Sequence, residues 1–391
     1  MPAPSAGVYL DASATTPPAA PVLEAMAAAQ RAAWGNPSSL HGYGLAAAEL
    51  LERSRWQCAR LLGCRPTEVV FTSGGTEAIH LALLGVAARR PAGRLLISGV
   101  EHPATEAAAA QLARMGWQVV QLPVNREGLV ERDALTEALK QPTDLVSLIW
   151  GQSEVGSLQP IADLGQECRR AGALLHVDAV QVVGRCAVEF GALPVDLLSL
   201  AAHKFQGPRG VGALLVRDGI ALDGLLGGGG QEGGRRSGTE PVALVAGLAR
   251  ALELASEHLP GPGAVQALRD GLLRELLAQP GLRLSGVDPF RDPLSRLPHH
   301  ISLLVCGRHG RPLSGRCLVR ELWQEGYAVS SGSACRSSGS GASSVLLALG
   351  YDEAEAGSGL RISLGPWLAA ADLAGFPMAL ARVRHRLSLK P

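Results

Sequence analysis

The sequence has no CxxC pair, no block of lysine and arginine, and no apolar run long enough to cross a bilayer. Each absence excludes something. The seven cysteines (Cys58, Cys64, Cys168, Cys186, Cys306, Cys317 and Cys335) are odd in number and widely spaced, which argues against a disulfide framework and against a zinc site. Lysine plus arginine is 36 and aspartate plus glutamate is 35, for a formal net charge of +1. That balance gives no electrostatic reason to expect nucleic acid or an anionic membrane as partner. The longest apolar runs, such as "DLLSLAA" (196–202), fall far short of the roughly 20 residues a membrane helix needs. "MPAPSAGVYLD" has no basic segment leading into an apolar one, so no signal peptide is expected and a cytoplasmic protein is.

What is present is a large apolar core and a regular rhythm. Of 391 residues, 47% are hydrophobic and 18% charged, so the chain folds rather than staying disordered. Its length suggests roughly two or three domains. Between about 67 and 217, short apolar runs alternate with helical spacing. "EVVFTSG" (68–74), "GRLLISG" (93–99), "WQVVQLPV" (117–124), "DLVSLIW" (144–150), "ALLHVDA" (173–179), "DLLSLAA" (196–202) and "GVGALLVR" (210–217) read as strands. Helices are predicted over 76–90, 104–116, 131–140 and 160–171. Strands apolar on both faces predict a mainly parallel sheet covered on both sides. Ligands then bind beyond the carboxyl ends of its strands. After 217 the pattern changes to a glycine-rich loop (223–241), a helix (241–257) and a break at "LPGPG" (259–263). A smaller α/β unit follows, with helices near 264–278, 314–325 and after 369, and strands near 299–305, 327–331 and 359–364.

Several strand ends carry chemistry. "HVDAVQ" (176–181) places Asp178 at one, with Gln181 three residues on; "AAHKFQGPRGVG" (201–212) places His203 and Lys204 just after the next. A lysine and a carboxylate so placed suit pyridoxal phosphate (PLP), the lysine forming a Schiff base and the aspartate keeping the ring nitrogen protonated. A plain surface ion pair would use the same residue types. "FTSGGTEA" (71–78) sets Gly74 and Gly75 between strand and helix, with Thr76 opening the helix. Amides there bind phosphate, and the same geometry serves a simple helix cap. No lysine follows in the P-loop manner. His102 in "EHPA" lies at a further strand end, where it suits ring stacking and proton transfer. Gly228 to Gly233 match GxGxxG in form only, since no strand precedes them. Arg361, in an otherwise apolar strand, needs a partner: a substrate carboxylate or an internal Asp or Glu. Cys335 sits in "SSGSACRSSGSGASS" (330–344), among small polar residues and not in the apolar setting usual for cysteine.

Together these motifs resemble the NifS/IscS class of cysteine desulfurases, on the fold-type I PLP-transferase scaffold. The likeness runs from "YLDASATTP" (9–17) through "GNPSSLHGYG" (35–44), "FTSGGTEA", "EHPA", "EVG" (154–156), "HVDAVQ", "HKFQGPRGVGAL", "GGGQEGGRRSGT" and "SSGSAC" to "LRISLG" (360–365). It implies an α/β fold with a large PLP-binding domain over 16–257. A small domain over 1–15 and 258–391 would carry the Cys335 loop. Lys204 would hold PLP, Asp178 would pair with its ring nitrogen, Gln181 with its ring hydroxyl, and His102 would stack on it and move protons. Gly75, Thr76, His203 and Thr239 would bind phosphate, Thr239 from the second subunit of a homodimer. Asn36 and Arg361 would hold the substrate carboxylate, and Cys335 would be the nucleophile that takes sulfur from L-cysteine as a persulfide. The long loop after Cys335 implies delivery to an acceptor for iron–sulfur cluster assembly.

Two positions depart from the family pattern. Gln152 and Ser153 replace the usual Asn-Asn pair, whose second member contacts cofactor or substrate, and Ala201 replaces a phosphate-binding serine. Each lost bond to a charged group would cost about 1.5–3 kcal/mol. Other classes stay open on sequence alone: a selenocysteine lyase or another PLP enzyme of this fold, or a scaffold protein poor in cofactor.

Overall fold

Seven strands make the central sheet. In chain order they are β2 (Val69–Thr72), β3 (Arg94–Ser98), β4 (Gln118–Leu122), β5 (Leu145–Ile149), β6 (Leu174–Asp178), β7 (Leu197–Ala201) and β8 (Gly212–Val216). A two-residue strand β1 (Val8–Tyr9) precedes them. The computed structural model describes residues 7–257, 263–307, 310–332 and 342–389. Across the sheet the order is β2-β8-β7-β6-β5-β3-β4. All neighbours are parallel except β8, which runs against both β2 and β7.

The strands hold because all but the edge strand β4, which exposes Gln118 and Gln121, are buried on both faces. Alternate residues go to opposite faces: Val69 and Phe71 join one core layer while Val70 joins the other, and Leu96 faces away from Leu95 and Ile97. Helices Ala20–Ala32, Gly42–Leu61 and Val242–Glu257 cover the first layer through Val22, Leu51, Cys58, Val245 and Leu248; helix Pro103–Arg114 covers the second through Ala108 and Leu112. Each of the seven predicted strands is present. The helix predicted over 76–90 is an α-helix only over Gly75–His80 and widens to a π-helical turn over Leu81–Gly85. There a Cβ on Gly85 would stand 2.7 Å from the Asp223 carbonyl oxygen, so the glycine admits the start of the glycine-rich loop.

The smaller layer contains strands β9 (Leu282–Leu284), β10 (His300–Val305), β11 (Tyr327–Ala328) and β12 (Gly359–Ser363). β10 lies between β9 and β12, antiparallel to both, and β11 pairs with β1 in parallel. Helices Ala264–Leu277, Gly315–Gln324 and Phe376–Ser388 close a separate apolar cluster around Leu273, Ile301, Leu322, Ile362 and Phe376. The short β9 carries too few apolar residues to have been read from periodicity. The carboxyl ends of β2, β3, β5, β6 and β7 share one edge of the large sheet, because β2 and β7 both oppose β8.

Candidate active site

Lys204 ends a short 3₁₀ turn (Ala202–Lys204) directly after β7. Its Nζ donates to the carbonyl oxygens of Ser13 and Ala14, both at 2.8 Å. Asp178 closes the neighbouring β6 and is buried, with one carboxylate oxygen accepting from the Val180 amide at 3.0 Å. Burial pushes its carboxyl above the ordinary value, while His102 and Lys204 pull the other way. No ion pair is made at Asp178 among the described residues. Gln181 donates through Nε2 to the Ser13 carbonyl at 2.9 Å, and its buried Oε1 has no partner among the described residues.

His102 caps helix Pro103–Arg114. Its Nδ1 accepts from the Ala104 amide at 3.1 Å. Burial lowers the imidazole pKa most, Asp178 opposes and Lys204 adds to the lowering. The ring is therefore neutral, with its proton on Nε2, and presents a donor there. His102, Asp178 and Lys204 sense one another's charge and form one electrostatic group.

The turn after β2 brings Gly75 and Thr76 to the same edge. Their amides, in the first turn of a helix, find no backbone or side-chain acceptor among the described residues. A Cβ on Gly75 would stand 2.8 Å from a Val180 methyl, so that position must be glycine. The same Cβ would be 3.6 Å from Ala201, which puts the missing serine hydroxyl beside this helix start. His203 Nδ1 lies 3.0 Å from the Thr15 hydroxyl, and burial lowers its pKa to about 4.

Arg361 is buried and has its partners inside the protein. Nη2 pairs with Asp11 at 2.8 Å, Nη1 donates to the Ser153 carbonyl at 3.1 Å, and Nε is unpartnered among the described residues. The internal ion pair considered from the sequence is thus present. Ser153 enters through its backbone, its carbonyl also facing His300 Nε2 at 3.0 Å. Asn36 and Thr239 are exposed and share a separate pocket of about 310 Å³, whose lining includes neither Lys204 nor Arg361. Asn36 uses its side-chain oxygen locally, on the Ser38 amide at 2.9 Å. Cys335 lies outside the described residues.

Three contributors carry no role in the sequence reading. Ser13 accepts from both Lys204 and Gln181 through its carbonyl, and its hydroxyl is 3.1 Å from His299 Nε2. Asp11 holds Arg361, and Glu101 is buried beside His102. The signal for Asp11 and Ser13 was their place in "YLDASATTP", a motif that supplied resemblance without chemistry.

An amine and, among the described residues, a buried carboxylate that makes no ion pair, open amides at a helix start and an unpartnered Gln181 oxygen fit PLP at its ring nitrogen, hydroxyl and phosphate. Fold and site define a fold-type I, PLP-dependent enzyme. The aminotransferase class-V family model matches residues 8–376. A cysteine desulfurase IscS of Dictyoglomus turgidum is 38% identical over 383 residues, covering 97% of this chain and 95% of the relative. A cysteine desulfurase of Cereibacter sphaeroides is 40% identical over 372 residues, covering 94% and 92%. Among solved structures, a NifS-like protein superposes with a TM-score of 0.87 at 33% identity, covering 98% of this chain and 100% of its own. A structure described as SspA in complex with cysteine gives 0.80 at 31% identity, covering 93% and 100%. The chain belongs to the aminotransferase class-V family and, within it, to the cysteine desulfurases of the NifS/IscS class.

Proposed function

We propose that this chain converts L-cysteine to L-alanine and keeps the released sulfur as a persulfide on Cys335. The observation that carries the site assignment is the placement of Asp178 at the end of β6 and of Lys204 just after the adjacent β7, with His102 beyond the end of β3 on the same edge of the sheet. Lys204 would hold PLP, Asp178 would face its ring nitrogen, Gln181 its hydroxyl, and Gly75, Thr76 and His203 its phosphate, with Ser153 as a further cofactor contact. When bound, the cofactor supplies an electron sink for negative charge at the substrate's Cα.

The chain's own residues do the rest. Arg361 binds the substrate carboxylate, which takes the place of Asp11 on the guanidinium. Lys204, drawn off the Ser13 and Ala14 carbonyls, moves the proton at Cα. His102, donating at Nε2, orients the reacting group. The Cys335 thiolate attacks the substrate sulfur. The Cβ–S bond breaks, an S–S bond forms on Cys335, and a proton delivered to Cβ completes alanine. Cysteine plus enzyme thiol thereby balance alanine plus enzyme persulfide. A sulfur acceptor, such as an iron–sulfur scaffold protein, then takes the terminal sulfur.

A homodimer belongs to this reading. Trp34 (61% exposed), Tyr43 (61%) and Leu40 (91%) form an open apolar face near the pocket of Asn36 and Thr239, and a second copy would cover it while offering Thr239 to the neighbouring site. The reading also takes residues 16–257 as the cofactor domain and 1–15 with 258–391 as the smaller one. No described helix is long and apolar enough to cross a membrane, in keeping with a cytoplasmic location. The test is reconstitution: apoprotein given PLP should gain a visible absorption band that Lys204→Ala fails to develop. An identical band in the variant would remove Lys204 from its role.

A further inference from the structure

The stretch that carries His102 is anchored by two side chains that have no part in the chemistry above. Glu101 is buried. Its Oε1 accepts from the Ser98 hydroxyl at 2.5 Å and from the Ile149 amide at 2.8 Å, which ties the end of β3 to the end of β5. Gln152 is buried in the turn after β5. Its Nε2 donates to the Val100 carbonyl at 3.1 Å, while its Oε1 accepts from the Glu154 and Val155 amides at 2.5 and 3.2 Å. The Gly99 amide donates to the Leu122 carbonyl on β4 at 2.9 Å. Residues 99–101 are thus held from both flanking strands, one residue before His102.

We infer that Glu101 and Gln152 are positioning residues, a two-point brace that aims His102 toward Asp178. The inference rests on the proposed role of His102. Ile149 and Asp178 are register partners on adjacent strands, so a bond from Glu101 to the Ile149 amide references the His102 segment to the strand that carries Asp178. Gln152 also gains a purpose. It stands where the family has the first asparagine of its pair, and its side chain spans the gap to Val100.

The chemistry of Glu101 supports a neutral tie. Its Oε2 is buried without a partner among the described residues, and burial pushes the carboxyl up to about 8. The negative charge of Asp178 raises it further. A neutral Glu101 avoids the repulsion that two ionised carboxylates, Glu101 and Asp178, would exert on each other. Glutamine is close in shape to a neutral glutamic acid, so it should replace Glu101.

The test uses the full chain in four variants: Glu101→Gln, Glu101→Ala, Gln152→Ala and His102→Ala. Two readouts are taken: kcat and KM with L-cysteine on the holoenzyme, and amide hydrogen exchange over residues 98–104 on the apoprotein. Glu101→Ala and Gln152→Ala should each lower kcat about 10-fold or more, as expected for a displaced reacting group, with KM within about 2-fold. Exchange over 98–104 should speed up in both. Glu101→Gln should match the parent in all three measures. If His102→Ala is inactive while both alanine variants keep parental kcat and exchange, the brace is refuted. If Glu101→Gln is as impaired as Glu101→Ala, the neutral tie is wrong. If His102→Ala itself turns over normally, the role of His102 fails first, and exchange over 98–104 still decides whether the brace exists.

Discussion

Gln181 and Lys204 donate to one and the same oxygen, the carbonyl of Ser13, at 2.9 and 2.8 Å. The surrounding segment, residues 11–16, also touches two further candidate residues, Arg361 and His203. Asp11 holds Arg361, Thr15 meets His203, and the Thr16 hydroxyl donates to the His203 carbonyl at 2.8 Å. This strap gives the lysine amine and the Nη2 end of the arginine guanidinium resting partners made of the protein itself.

The Asp11–Arg361 pair yields a direct expectation. If Arg361 takes the substrate carboxylate, Arg361→Lys loses the two-pronged grip. Losing one charge-assisted bond is worth about 1.5–3 kcal/mol, so KM for L-cysteine should rise roughly 10- to 150-fold with a much smaller change in kcat. Steady-state kinetics read this, and an unchanged KM would leave Arg361 a structural residue paired to Asp11.

Asp178→Asn tests the opposite end of the site. The variant keeps the shape and the Val180 contact but removes the charge proposed to face the cofactor's ring nitrogen. PLP should bind about 10- to 150-fold more weakly, on the same energy of about 1.5–3 kcal/mol. Absorbance titration of apoprotein measures it, and equal affinity would contradict the pairing.

The glycine-rich loop hangs on a buried clasp. Glu232 takes the left-handed conformation (φ 52°, ψ 35°), unusual for a residue with a side chain. It is held there by Arg55, which donates to both carboxylate oxygens at 2.8 Å, and by the Phe71 amide at 2.9 Å. Arg236 then links the loop to Glu77 at 3.0 Å, on the helix that opens at Gly75. Without Glu232, Arg55 loses both of these carboxylate bonds and keeps Glu52 at 3.1 Å and the Val69 carbonyl at 2.9 Å, so Glu232→Ala should cost about 1.5–3 kcal/mol in denaturant unfolding. A loss below about 1 kcal/mol would mean that solvent already satisfies Arg55.

Acid should destabilise the protein through its buried neutral histidines. His176 lies between the hydroxyls of Ser147 and Ser199, both at 2.8 Å, and burial lowers its pKa to about 3. His299 and His300 are lowered by burial as well. The unfolded chain binds their protons below about pH 6.5 and the folded chain does not. Their stabilising contribution is therefore complete above that pH and is lost as pH falls toward 3. Each such group steepens the loss by up to about 1.4 kcal/mol per pH unit. Unfolding at pH 5 should require less denaturant than at pH 7, and His176→Gln should flatten the slope by about one proton. An unchanged midpoint between the two pH values would contradict this.

Much of this arrangement was legible in the sequence, for physical reasons. Six of the seven strands are mostly apolar and buried on both faces, so they stood out as short apolar runs bounded by glycine or charge, and the edge strand β4 stood out by its Val119–Val120 pair despite two exposed glutamines. Asp178, His102 and Lys204 were found because they follow such runs, and a parallel sheet gathers strand ends at one edge. Ser13, Asp11 and Glu101 were not found, because their roles depend on contacts between segments far apart in the chain. Ser13 works through a backbone carbonyl, which any residue type supplies. The Asp11–Arg361 pair spans 350 positions, and no local pattern marks such a pair. Arg55 and Glu232 likewise look like ordinary surface charges until the loop folds back onto β2.

The central claim is that one chain takes sulfur from L-cysteine through a cofactor on Lys204 and a thiol at Cys335. The most direct measurement follows alanine and sulfide together, with PLP-loaded protein, L-cysteine and a thiol reductant. The account predicts equal amounts of both from the parent chain, neither from Lys204→Ala, and neither in repeated turnover from Cys335→Ala, which still binds L-cysteine and changes the visible band. Parental turnover by Cys335→Ala, or sulfide formed without alanine, would contradict it.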